Sequence, residues 1–305
     1  MNPLGPLLAL LSAASWGTGD FFGGLASKVG TLRPALVLIQ LFGFVVALVA
    51  MLVARDPLPT SAGMAWAVAG GAAGVLGLGC LYLALATGTM GLVAPLVGLI
   101  SAAIPAVVGV LRGDPVGPLL LVGMGVALVA IVVISLPDRG AAPVAAGPPA
   151  AGPHGARLSA RDWGLVLGAG LGVAAFYLCT DAAHDAGAST AWALVGVRVA
   201  SVVVALGLLL VPRLAGRPAP FPRSRRLVGL AALAALGDTG GNAFYIAAAG
   251  VGTLSVAVVL SSLYPVATVL WARFLLHERL GRVRLAGVAL AVLGAVLITA
   301  GAAIA

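Results

Sequence analysis

The sequence predicts an all-α membrane protein of ten transmembrane helices, arranged as two inverted five-helix repeats. Three observations carry that prediction. Of its 305 residues, 61% are hydrophobic and only 9% charged. The apolar residues fall into about ten runs, each near the roughly 20 residues a spanning helix needs. Finally, a short acidic turn between two such runs occurs twice, once in LRGDP at Leu111 to Pro115 and once around His277-Glu278-Arg279.

Each element follows from its composition. Inside lipid every backbone N–H and C=O must be paired within the segment or a closed barrel, so runs this long and apolar must be helices. The strand-like alternation of a membrane barrel is absent. The predicted spans are 4–25, 33–54, 64–86, 90–111, 116–136, 162–182, 189–211, 227–249, 253–275 and 283–303. No Lys or Arg precedes the first run, so it lacks the basic start of a signal peptide and is expected to stay as a helix. Residues 137–161 are rich in Pro, Ala and Gly without hydrophobic period, the composition of a flexible linker.

That linker divides the chain into a first unit, 1–136, and a second, 162–305. Laid over one another without gaps, the two pair Leu99 with Leu263, Asp114 with Glu278, Gly117 with Gly281 and Gly123 with Gly287. An odd number of helices per copy makes the copies insert in opposite senses, the inverted repeat of many transporters. Loops after odd-numbered helices hold most of the arginines, among them Arg139, Arg161, Arg213, Arg225, Arg226, Arg279 and Arg282. The other side holds only Arg55 and Arg112. The positive-inside rule then places both termini outside. The net charge of +8 is read as this topology signal rather than as a nucleic-acid surface. Cys80 and Cys179 lie inside apolar runs and imply neither a disulfide framework nor a metal.

The segment SSLYPVATVLWARFLLHERLGRVRLAGVALAVLGAVLI resembles the closing half of an EamA-type member of the drug/metabolite transporter superfamily. ASWGTGDFFGGLASK at Ala14 to Lys28 resembles the opening helix of that family, and Tyr82 to Pro115 the middle of its first repeat. The resemblance implies ten helices, two inverted repeats, a central cavity and export of small metabolites or drugs. It fixes no substrate. Members often have cytoplasmic termini, which the charges of this chain oppose.

Charged groups in mid-membrane cost about 2.5–3.5 kcal/mol each on insertion scales, so each needs a reason. Asp20, in WGTGDFF, reads either as a cavity carboxylate that takes a proton or a substrate amine, or as a helix-end acid at the interface. Arg198 is the most embedded charge; its planar fork suits a substrate carboxylate, or it is the counter-ion of Asp238 or Asp20. Gln40 sits at similar depth in the partner helix of the other repeat. Asp238, Asn242 and Tyr245 recur at spacings of four and three and share one face, beside a Gly240-Gly241 pair expected to loosen the helix. The alternative for these three is a polar clamp between helices. Trp16, one turn before Asp20, either stacks on an aromatic or cationic substrate or packs. Tyr82 and Tyr264 are weaker cavity candidates. Trp66, Trp163, Trp192 and Trp271 read as interface anchors.

Asp114 and Glu278 are expected to be structural turn residues. Gly287, Gly294 and Gly301 recur every seven residues and form a seam for close packing, either as scaffold or as the face of a homodimer. Asp181, His184 and Asp185 read as a solvated loop ahead of a metal site. No catalytic residue, metal or cofactor is expected, since the histidines sit in loops and no Ser or Cys has a base nearby. GAGLG at Gly168 to Gly172 lies in an apolar helix with no strand before it, which excludes a nucleotide loop. The sequence therefore points to a secondary transporter, multi-pass in a bacterial inner (cytoplasmic) membrane. Its expected partners are a small-molecule substrate, the lipid bilayer and a proton as coupling ion. A lipid-carrier flippase, a facilitative uptake carrier, and a membrane enzyme or scaffold remain the alternatives.

Overall fold

The structure, a computed structural model, describes residues 2–29, 32–87, 90–136, 159–214, 224–277 and 280–304. Most of the linker, Glu278, and the side chain of Tyr82 lie outside the described residues. Among the described residues all regular structure is helical. The helices are α1 (Leu4–Val29), α2 (Leu32–Ala54), α3 (Ser61–Thr87), α4 (Met90–Leu111), α5 (Pro118–Ser135) and α6 (Ala160–Asp185). They continue as α7 (Thr190–Leu214), α8 (Arg225–Val251), α9 (Leu254–Ser261), α10 (Tyr264–Leu275) and α11 (Arg282–Ile304).

Nine of the described segments are long and apolar enough to cross a membrane, with α9 and α10 together making one of them. α1 is as long as the others and falls outside those nine. The ninth predicted span is thus broken rather than continuous. Pro265 explains the break: a proline lacks the N–H for the helical ladder, and its ring clashes with the carbonyl four residues back. That carbonyl belongs to Ser261, where α9 ends. At the start of the second half, the Ser159 side chain accepts from the Asp162 N–H while Asp162 accepts from the Ser159 N–H, a reciprocal cap that opens α6.

The helices pair chiefly across the two halves. α1 lies along α8, α3 along α6, α5 along α11 and α2 along α7. Lipid supplies no hydrophobic drive for such contacts, so small residues that let backbones approach do the work. On α11, Gly287 meets Ile134, Gly294 meets Ala127 and Gly301 meets Leu120, an antiparallel register that advances by seven residues at each step. The glycine seam expected from the sequence is therefore occupied within the chain, by α5. Gly77 against Gly172 and Gly70 against Cys179 set the α3–α6 pair in the same way.

The α1–α8 seam places the polar residues. Gly19 abuts Gly237 and the backbone of Asp238, and Gly17 abuts Tyr264 and Thr268. Ser12 donates to the Gly241 carbonyl and Ser15 to the Gly237 carbonyl, each at 2.8 Å. α8 runs unbroken through Gly240 and Gly241. Those glycines do not loosen it; they admit Ser15 and the indole of Trp16, which a Cβ at either position would strike.

Candidate functional site

The lipid-facing stripe of α1 is given by its exposed residues Leu4, Leu7, Leu11 and Ala14. At 100° per residue, Asp20 points about 160° away from the centre of that stripe. Asp20 is nonetheless exposed, so its open surface faces the interior of the bundle. On α8 the exposed stripe is Gly229, Leu233 and Leu236, and Asp238 lies about 170° from it. Asp238 is the middle residue of α8, and its side chain keeps 35% of its surface open. The two carboxylates lie within electrostatic range of one another. They mark a cleft between α1, α2, α7 and α8.

Arg198 closes one wall of that cleft. It is 1% exposed, and its Nη1 donates to Gln40 Oε1 at 2.7 Å and to Asp238 Oδ2 at 2.7 Å. Its Nε and Nη2 are buried without a partner among the described residues, as is the neighbouring Thr239 hydroxyl. Gly43, one turn beyond Gln40 on α2, makes room for this group. A Cβ there would lie 3.2 Å from the guanidinium carbon and 2.7 Å from Thr239 Oγ1. The sequence offered Asp238 as one of two counter-ions for Arg198 and Gln40 as a separate candidate, and the structure ties both to the one cation.

Trp16 sits on the same face of α1 as Asp20, one turn away. Its indole N–H donates to Asn242 Oδ1 at 2.9 Å, and its ring stacks on Tyr245 with centroids 5.8 Å apart. Phe176, Tyr177 and Tyr264 meet the same indole edge-on. Tyr245 is fully buried, and its hydroxyl donates to the Tyr177 carbonyl at 3.1 Å. The Tyr177 hydroxyl reaches Ser262 at the α9–α10 break. These aromatics form a plug with Asp20 in electrostatic range of Tyr177, and Asp181 in range of Tyr245.

Beyond the plug, at the end of the bundle where α4 and α6 finish, lies a cavity of about 330 Å³ lined in part by Arg112, Asp114, Asp181, His184 and Asp185. Arg112 pairs with Asp181 at 2.9 Å. Asp114 accepts from the Ser255 N–H at 2.8 Å and so caps α9 in place of Thr253, whose own side chain makes no cap bond. The expected loop at Asp181 and Asp185 is instead the last turn of α6. Among the described residues no cluster of His, Cys, Asp or Glu has the arrangement of a metal site.

Phe176, Tyr177 and Gly43 escaped the sequence reading, because apolar neighbours and an isolated glycine carry no pattern of their own. The spacing of Ser12, Ser15 and Gly19 against Gly237 and Gly241 was a usable signal for the α1–α8 seam. Trp271 donates to Thr18 Oγ1 at 2.8 Å and stacks on Phe21. These contacts lie where α10 packs along α1.

A family model described as the EamA-like transporter family matches residues 164–300. Those residues belong to the EamA-like transporter family. The match and the apolar helices support a multi-pass membrane transporter, and α6 to α11 contain the matched residues. A solved structure titled "Crystal structure of protein" aligns over 97% of this chain and 98% of its own, with a TM-score of 0.72 and 17% identity. At that identity the likeness is one of fold, and it extends over the part before residue 164 as well. No curated protein matches this chain.

Proposed function

We propose that this EamA-like protein is a secondary-active exporter of a small organic solute, working by alternating access across a bacterial cytoplasmic membrane. The observation that carries the reading is the pair of mid-helix carboxylates, Asp20 and Asp238, each turned away from lipid into one cleft. Intramembrane ionisable groups facing a bundle interior mark solute and ion pathways. The residues of the path are Trp16, Asp20, Gln40, Arg198, Asp238, Asn242 and Tyr245.

The rocking units are two inverted five-helix repeats, 1–136 and 162–305. In support of this, contacts occur in exchanged pairs: α1 with α8 answers α3 with α6, and α2 with α8 answers α7 with α3. Exchange of a proton at Asp20 or Asp238 drives the cycle. The test is metabolite profiling of medium from cells overproducing the wild type or Arg198→Ala. Solutes enriched with the wild type alone support export through this cleft. Equal profiles with both proteins in the membrane reject it. Coupling is tested apart from export: pH-driven flux that survives in both Asp20→Asn and Asp238→Asn rules the proton out.

A further inference from the structure

Among the described residues, the ionisable group without a protein partner that opens into the cleft is an acid, Asp20. Asp20 makes no hydrogen bond or ion pair among the described residues, and the charge that acts on it is another carboxylate, Asp238. Asp238 is neutralised by Arg198. Arg198 presents no positive surface in return: it is sealed by protein, its Nη1 is engaged twice, and its Nε and Nη2 are buried. A solute carboxylate would have to displace Asp238 to reach that guanidinium and would meet Asp20 on the way. Repulsion acts against it at both points.

What surrounds Asp20 favours the opposite charge. Trp16 lies one turn away on the same face, its N–H committed to Asn242. Tyr177 is within electrostatic range, and Tyr264 meets the same indole. Aromatic faces attract cations through the ring quadrupole, and a carboxylate within the bilayer is costly until a counter-charge arrives. We propose that the Asp20 side of the cleft binds an organic ammonium ion with an apolar or aromatic tail, its charge on Asp20 and its tail against Trp16. The proposal rests on the transport reading for its biological direction, while the binding itself stands on the site.

Three probes of matched shape separate the charge from the ring: phenethylammonium, 3-phenylpropionate and 2-phenylethanol. Binding to the purified full-length protein in detergent is measured by calorimetry. The cation is expected to bind roughly tenfold more tightly than either other probe. Asp20→Asn should erase that preference and Asp20→Glu should keep it. The proposal is overturned if the anion binds best, if the alcohol binds as well as the cation, or if Asp20→Asn retains the preference. The ranking in the wild type decides even where a variant fails to fold. Vesicle flux then distinguishes the two readings. Phenethylammonium that binds through Asp20 while no solute crosses leaves this inference standing and removes the transport cycle. Flux of 3-phenylpropionate without phenethylammonium does the reverse.

Discussion

Removing the carboxylate of Asp238 should destabilise this protein more than removing the whole ion pair. Arg198 is 1% exposed and holds its only described partners, Gln40 and Asp238, through one nitrogen. Deleting one member of a buried pair leaves the other charge uncompensated, at about 3–5 kcal/mol. Asp238 keeps 35% of its side-chain surface open, so screening by cleft water brings the expected loss for Asp238→Leu to about 2–3 kcal/mol. The double variant Asp238→Leu/Arg198→Met buries no charge. It should lie within about 1 kcal/mol of the wild type, the residue being the partner lost by Gln40. Unfolding by SDS in mixed micelles, followed by circular dichroism, measures all three. The reasoning fails if the single variant unfolds at the wild-type SDS fraction, or if the double variant is the least stable.

Other expectations follow from the same contacts. Gly43→Ala drives a methyl group against the guanidinium carbon and Thr239 Oγ1, an overpacking of about 1–3 kcal/mol; transport should fall with it, and unchanged flux would show that Arg198 can move aside freely. Asp114→Ala removes the borrowed cap of α9 and should cost about 1 kcal/mol in the same SDS assay. Arg112→Ala breaks an ion pair whose arginine side chain is 53% exposed and should change stability by at most about 1 kcal/mol. Pro265→Ala restores an N–H that can reach the Ser261 carbonyl, so hydrogen exchange between residues 261 and 266 should slow; unaltered exchange would mean the break has another cause.

The helices were legible because lipid makes them so: a long apolar run has one permitted backbone form. The break at Ser262-Leu263 was not marked, although Pro265 stood in view. Pro95 and Pro105 sit inside α4 without ending it, so a proline by itself does not decide. Asp20, Arg198 and Asp238 were legible as residues, because a charge in an apolar run is conspicuous. Their partnership was legible only as one of two options. Arg198 could have been the counter-ion of Asp238 or of Asp20, and the choice depends on the small-residue seams that bring α8 between α1 and α2. Trp16 and Tyr245 were singled out, but Phe176 and Tyr177 look in sequence like ordinary filling of α6. Glu278 falls outside the described residues, and only its counterpart Asp114 has a visible structural task.

The pairing of helices across the chain has a consequence for how the protein is made. α1 is synthesised first, yet Ser12 finds its acceptor at Gly241, 229 residues later. α3 waits for α6, and α5 for α11, the last of the described helices. Contacts so distant in sequence are slow to form. Until α8 is inserted, Asp20 has no cleft to face, and Gly17 and Gly19 have no neighbour to meet. The first five helices are therefore an unfinished surface in the membrane for as long as the ribosome works on the rest. Any factor that shelters nascent membrane helices should be needed most at that stage.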